Sequence, residues 1–148
     1  MKSNWYWNTN VTITVRNPDG SVKEMVKLHN KIPVVARNMV RDFLHGTETD
    51  GKIRELALGD DSTPPTDGDT ALGNEVFRKA ITGQTDTGDG ELTTITYVNA
   101  GEAVGEDIQE IGWFNNIGLV SRVLWAHGVK TGLESFDIER VDTISEVP

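Results

Sequence analysis

The sequence predicts a mainly β fold of the α+β class: an antiparallel β-sandwich or barrel-like sheet with one amphipathic helix and an N-terminal hairpin arm. Three observations carry this. Val11, Ile13 and Val15 alternate with Thr12, Thr14 and Arg16, the period-two signature of a half-buried strand. Only one stretch, 33–45, repeats its apolar residues at helical spacing. Further β-type segments then follow at intervals of about 8 to 14 residues with turn signals between them, as in all-β sandwiches.

The elements follow in chain order. Asn17-Pro18-Asp19-Gly20-Ser21 sets φ at Pro18 and allows a positive φ at Gly20, so it predicts a turn. Val22, Val26 and Leu28 resume the alternation beyond it, making 11–28 a hairpin. A two-stranded hairpin is marginal alone and must lean on the rest of the fold or on another subunit. In the helix, Val35, Met39 and Phe43 form one row and Ala36, Val40 and Leu44 the next, with Pro33 at its start and Gly46 as its C-terminal cap. Residues 53–58 predict a short strand closed by Gly59, and 60–70, with Pro64 and Pro65, a long surface loop. A short helical turn followed by a strand is expected over 71–82, and a second Gly/Asp/Thr loop over 83–91. Strands are expected at 92–98, 108–114, 119–126 and 136–144. No linker divides the chain, which predicts one domain over 1–148 with 1–30 as arm and hairpin.

Composition narrows the functional classes. The chain has 148 residues, enough to bury roughly 70% of the surface its unfolded form exposes. No cysteine is present, which removes disulfides, thiolate metal sites and cysteine nucleophiles. Asp and Glu number 23 against 14 Lys and Arg, a net charge of -9 without a basic cluster, so nucleic acid is not expected as a partner. No apolar run approaches a membrane span or a signal peptide, so the expectation is a soluble, unprocessed chain.

The motifs nominate no catalytic residue. His29, His45 and His127 have no metal-ligand spacing, and no Gly-Xaa-Ser-Xaa-Gly elbow or phosphate-binding glycine loop occurs. An enzyme is therefore not expected. Asp60, Asp61, Asp67 and Asp69 make the densest carboxylate group. They lack EF-hand spacing, and two readings stand: a solvated loop with no cofactor, or a weak Ca²⁺ or Mg²⁺ site. Trp5, Tyr6 and Trp7 precede the first predicted strand and either form an interface or fold back on the core. Glu75 and Arg78 would pair if their segment is helical, and Glu110 and Arg122 would pair across neighbouring strands. Gly59 and Gly112 would permit close backbone approach.

Several phrases, in order, resemble virion proteins of tailed viruses. The hairpin ending in His29-Asn30 followed by the helix is similar to the opening of small tail and fibre-type proteins. Leu56-Ala57-Leu58-Gly59, the Thr/Pro loop, Thr70-Ala71-Leu72 and Arg78 resemble a pattern of tail-collar, fibre and baseplate-associated proteins. Ile108-Gln109-Glu110-Ile111-Gly112-Trp113-Phe114 and Leu119-Val120-Ser121-Arg122 resemble the strands that follow. The resemblance spans residues 11–144. It implies a noncatalytic structural component located in the virion, a homo-oligomer, commonly a trimer, that attaches to other virion proteins through its hairpin arm, Trp5, Tyr6, Trp7 and the Pro64-Pro65 loop. The chain lacks the repetitive shaft of a long fibre, which raises a capsid decoration or turret-base protein as the alternative. A free carbohydrate-binding module, with Trp5, Trp7, Trp113 or Trp125 as stacking platforms, is the reading from a different class.

Overall fold

In the first strand the inward positions are Thr9, Val11, Ile13 and Val15, and burying that row selects the pairing partners of the whole sheet. The computed structural model describes residues 4–146; the first three residues of the expected arm and the last two of the expected domain lie outside the described residues. Nine strands and one helix follow in order: β1 (Trp5–Arg16), β2 (Val22–His29), α1 (Val34–His45), β3 (Glu55–Gly59), β4 (Glu75–Ala80), β5 (Gly83–Gly88), β6 (Glu91–Val98), β7 (Asp107–Phe114), β8 (Leu119–Val129) and β9 (Ser135–Glu146). They form two antiparallel sheets, β2-β1-β9-β6-β5 and β4-β3-β7-β8. Neither sheet closes, so the architecture is the sandwich and not the barrel.

The two inner faces make the core. Val11, Ile13, Val15, Val98, Phe136 and Ile138 from the first sheet meet Leu56, Leu58, Ile111, Trp113, Val123 and Trp125 from the second. A smaller cluster of Ala57, Leu72, Phe114 and Leu119, with Val35 against it, lies on the opposite face of the second sheet. That face is covered by the 60–74 loop and by α1, whose nearest strand is β8.

The hairpin and the helix match expectation. β1 pairs with β2 around the Asn17–Ser21 turn, where Gly20 has φ 83° and its amide donates to the Asn17 carbonyl. At the end of α1, Gly46 adopts φ 81°, and the amides of Gly46 and Thr47 donate to the Phe43 and Asp42 carbonyls. That arrangement satisfies carbonyls a helix end otherwise leaves open.

Three expectations are corrected. The first strand begins at Trp5, because β9 pairs with all of β1 from Trp5↔Glu146 to Arg16↔Ser135. Trp5, Tyr6 and Trp7 are thus strand residues, and the arm is a sheet extension. Residues 71–74 form no helical turn, and Glu75 opens β4. The Glu75–Arg78 pair forms all the same, since two residues of β4 oppose one step of β3 between Leu58 and Gly59. Val76 is the extra residue of this bulge, and it brings Glu75 and Arg78 onto one face of a strand. Finally, 83–91 is a hairpin half: β5 pairs with β6 across an Asp89-Gly90 turn. An apolar-alternation test misses this polar edge strand, although Asp-Gly is a hairpin signal in its own right.

Candidate functional site

Glu110 and Arg122 occupy diagonal positions on β7 and β8, on the face that meets the 60–74 loop. Glu110 is fully buried and Arg122 nearly so. The Arg122 Nε donates to Glu110 Oε2 at 2.5 Å, and the Glu110 carboxylate also accepts the backbone amides of Gly73 and Asn74 at 3.0 and 2.9 Å. The remaining guanidinium nitrogens reach the Thr63 carbonyl at 2.7 Å and Asp69 Oδ2 at 3.3 Å. One buried ion pair therefore grips the loop at both ends.

The two glycines of the sequence phrases make room for it. A Cβ on Gly59 would collide with the Glu110 carboxylate and the Asn74 carbonyl, and one on Gly112 would lie 2.6 Å from Leu72 Cδ2. Gly59→Ala is expected to destabilise the protein by about 1–3 kcal/mol, the usual range for overpacking. Chemical denaturation checks it, and a variant as stable as the parent would show that the loop shifts freely.

The four loop aspartates do not converge on a cation. Asp61 lies 4.0 Å and Asp69 3.3 Å from Arg122, Asp67 pairs with Lys31 at 3.0 Å and Arg37 at 3.3 Å, and Asp60 accepts from Asn74. Hydrogen bonds from Thr63 lower the Asp61 carboxyl, and the hydrogen bond and charge of Lys31 lower Asp67. Burial alone would raise Asp69, but Thr66 and Arg122 outweigh it and hold it low. Among the described residues no group of three or more His, Asp or Glu is placed to hold a metal ion. The Asp67 carbonyl instead accepts the first amide of α1 at 2.9 Å, so the loop caps the helix.

The other sequence-nominated residues separate. Trp7 is half-buried, and its Nε1 donates to Asp142 Oδ1 at 2.8 Å; Trp5 and Tyr6 stay 69% and 47% exposed. Pro64 is exposed and Pro65 half-buried. Arg78 binds Glu75 at 2.6 Å and Glu55 at 3.4 Å and lies 3.9 Å over the Phe114 ring, with its guanidinium pKa raised chiefly by the Glu75 hydrogen bond. Trp113 and Trp125 lie in the core, which withdraws both from the set of sugar-stacking platforms.

Two polar clusters escaped the sequence reading. Between the sheets, the fully buried Arg140 donates twice to Asp142, at 2.7 and 2.8 Å, and once to Ser121, while Thr9 donates to Asp142 at 2.6 Å. At the far end, Glu134 receives His127 at 2.8 Å and Lys23 at 3.0 Å, which ties the β2 edge to the β8–β9 turn. Burial works against the Glu134 charge, yet these hydrogen bonds hold its carboxyl down to about 2.

A cleft of about 980 Å³ lies between α1 and the open end of the sandwich. One helix stripe, Ala36, Met39, Val40 and Phe43, lines it, and exposure along that stripe climbs from 1% at Ala36 to 61% at Phe43. The helix thus diverges from the sheets toward its C-terminus. Opposite it stand Trp7, Leu92, Ile144 and the β5–β6 hairpin. Leu44, 78% exposed, lies beside the stripe on α1.

Comparison with protein-family models, curated proteins and solved structures finds no match to this chain.

Proposed function

We propose that the chain is a noncatalytic structural component of a tailed-virus particle, of the tail, fibre or collar type, that self-associates and attaches to neighbouring virion proteins. One observation carries the reading: large apolar side chains stay at the surface on ordered elements. Trp5 and Tyr6 stand at the end of a strand that β9 pairs along its whole length, and Phe43 and Leu44 on a capped helix. Large apolar side chains left exposed on ordered elements are available to a protein-binding surface. The phrases that suggested the family also have a shared physical role. Gly59, Leu72, Glu110, Gly112 and Arg122 together hold the Thr/Pro loop in one shape, as a repeated assembly contact requires.

Light scattering of the purified protein tests the proposal. The expected result is a species whose mass is a multiple of 16.3 kDa, reduced toward the monomer by Trp5→Ser with Tyr6→Ser at unchanged unfolding midpoint. A strictly monomeric protein that also fails to bind particles would overturn it. Labelling within intact particles separates a tail position from capsid decoration.

A further inference from the structure

The charge around the α1 cleft is lopsided. Asp86, Asp89 and Glu91 come from the β5–β6 hairpin that forms one wall. Among the described residues none of the three forms a salt bridge; Glu91 accepts only the Thr87 hydroxyl, at 2.7 Å. The other two carboxylates of the lining are already matched, Asp50 by Arg54 at 2.8 Å and Asp142 by Arg140 at 2.7 Å. Among the described residues, Lys52 is the one cation in the lining. Glu91 pairs with Thr143 and so turns to the opposite face of the sheet from Leu92, which leaves the apolar floor and helix stripe bordered on one side by two uncompensated negative charges, Asp86 and Asp89.

We infer that this cleft is the docking site for a basic amphipathic segment of a neighbouring protein, which lays apolar side chains on Met39, Val40 and Phe43 and sets Lys or Arg against Asp86 and Asp89. The volume falls within the range that takes a ligand or a short peptide stretch. The apolar stripe at i, i+3, i+4 and i+7 gives the cleft one continuous apolar wall, and an incoming amphipathic segment would lay its own apolar face on it. Charge complementarity selects the partner over a second copy of this chain. A molecule of net charge -9 brings like charge to an acidic rim, whereas a basic segment removes the repulsion and gains attraction. This names the chemistry of the partner within the attachment role proposed above and rests on that role.

The test uses the full chain and a labelled amphipathic Leu/Lys peptide of about 14 residues, with a Leu/Glu peptide of the same pattern beside it. Saturable binding of the Leu/Lys peptide alone is expected, read by fluorescence anisotropy. The combination Asp86→Asn with Asp89→Asn should weaken it by about fivefold or more at low salt, with a smaller difference at high salt. A charge-matched control, Glu24→Gln with Glu139→Gln, removes two exposed carboxylates outside the cleft and should change binding by less than about twofold. Phe43→Ser should weaken binding at every salt concentration. Equal weakening by rim and control variants would mean that the peptide senses only net charge, and would overturn the inference. So would binding that ignores Phe43→Ser, absence of saturable binding, or self-association that depends on Phe43 while the peptide does not bind. Failure of the virion reading is seen separately, as a monomer that fails to bind particles yet still binds the peptide.

Discussion

Arg122→Ala is expected to cost about 3–5 kcal/mol, the range for stranding one member of a buried ion pair. That is a large part of the roughly 5–15 kcal/mol that holds a domain of this kind folded. The loss does not stop at Coulomb attraction. Glu110 would remain fully buried with only the Gly73 and Asn74 amides as partners, the Thr63 carbonyl would lose the guanidinium, and Asp69 would keep only Thr66 as donor. The 60–74 loop should therefore exchange its amide hydrogens faster than the sheets do. Replacing Glu110 and Arg122 together by Met should be milder than the sum of the single losses, because no charge is left unpaired. Urea unfolding and hydrogen exchange read both effects. An Arg122→Ala variant within about 1 kcal/mol of the parent, with unchanged exchange in the loop, would show that the pair does not hold it.

The second large effect lies between the sheets. Asp142→Ala leaves Arg140 buried with Ser121 as its remaining hydrogen-bond partner, and removes the acceptor of Trp7 and Thr9. A loss of about 3–5 kcal/mol is again expected. This pair also gives the protein an acid limb. Burial alone would raise the Asp142 carboxyl, but the charge and hydrogen bonds of Arg140, with Thr9 and Trp7, hold it below its ordinary value. Glu134 is held down to about 2. A carboxylate depressed on folding stabilises the native state above its unfolded pKa, about 4, and loses that contribution as pH falls through its folded value. The urea midpoint should thus change little from these groups above about pH 5 and fall toward pH 2. Asp142→Asn should flatten part of that decline, and an unchanged slope would remove Asp142 from the account.

Much of this was legible because burial writes itself into period and polarity. The 11–28 hairpin, the 33–45 helix and the strands near 53–58, 92–98, 108–114, 119–126 and 136–144 all carry apolar rows that must face a core. Glu110 and Arg122 stood out as opposite charges in apolar strands. Arg140 and Asp142 escaped although a signal for them exists: Phe136, Ile138, Arg140, Asp142 and Ile144 share one parity, so the inward row of β9 runs straight through two charges. β5 escaped because an edge strand of Gly, Gln, Thr and Asp buries little. The aspartates at 60–69 look like one cluster in sequence, but their partners Lys31, Arg37, Asn74 and Arg122 come from elsewhere in the chain. The cleft has no sequence signature, since it arises from the angle at which α1 leaves the sandwich.

The pairing of β1 with β9 has a kinetic consequence. The strand furthest along the sequence sits between β1 and β6, so without it the first sheet is only two separate hairpins, β2-β1 and β6-β5. Each hairpin can close by local search, in microseconds. Joining them must wait for a loop of more than a hundred residues to close, which places the entropic barrier late and in a single event. Until β9 arrives, the apolar rows of both hairpins and the edges it will cover stay open to other chains. The insertion of one strand thus ends the interval in which the unfinished sheet is open to misassociation.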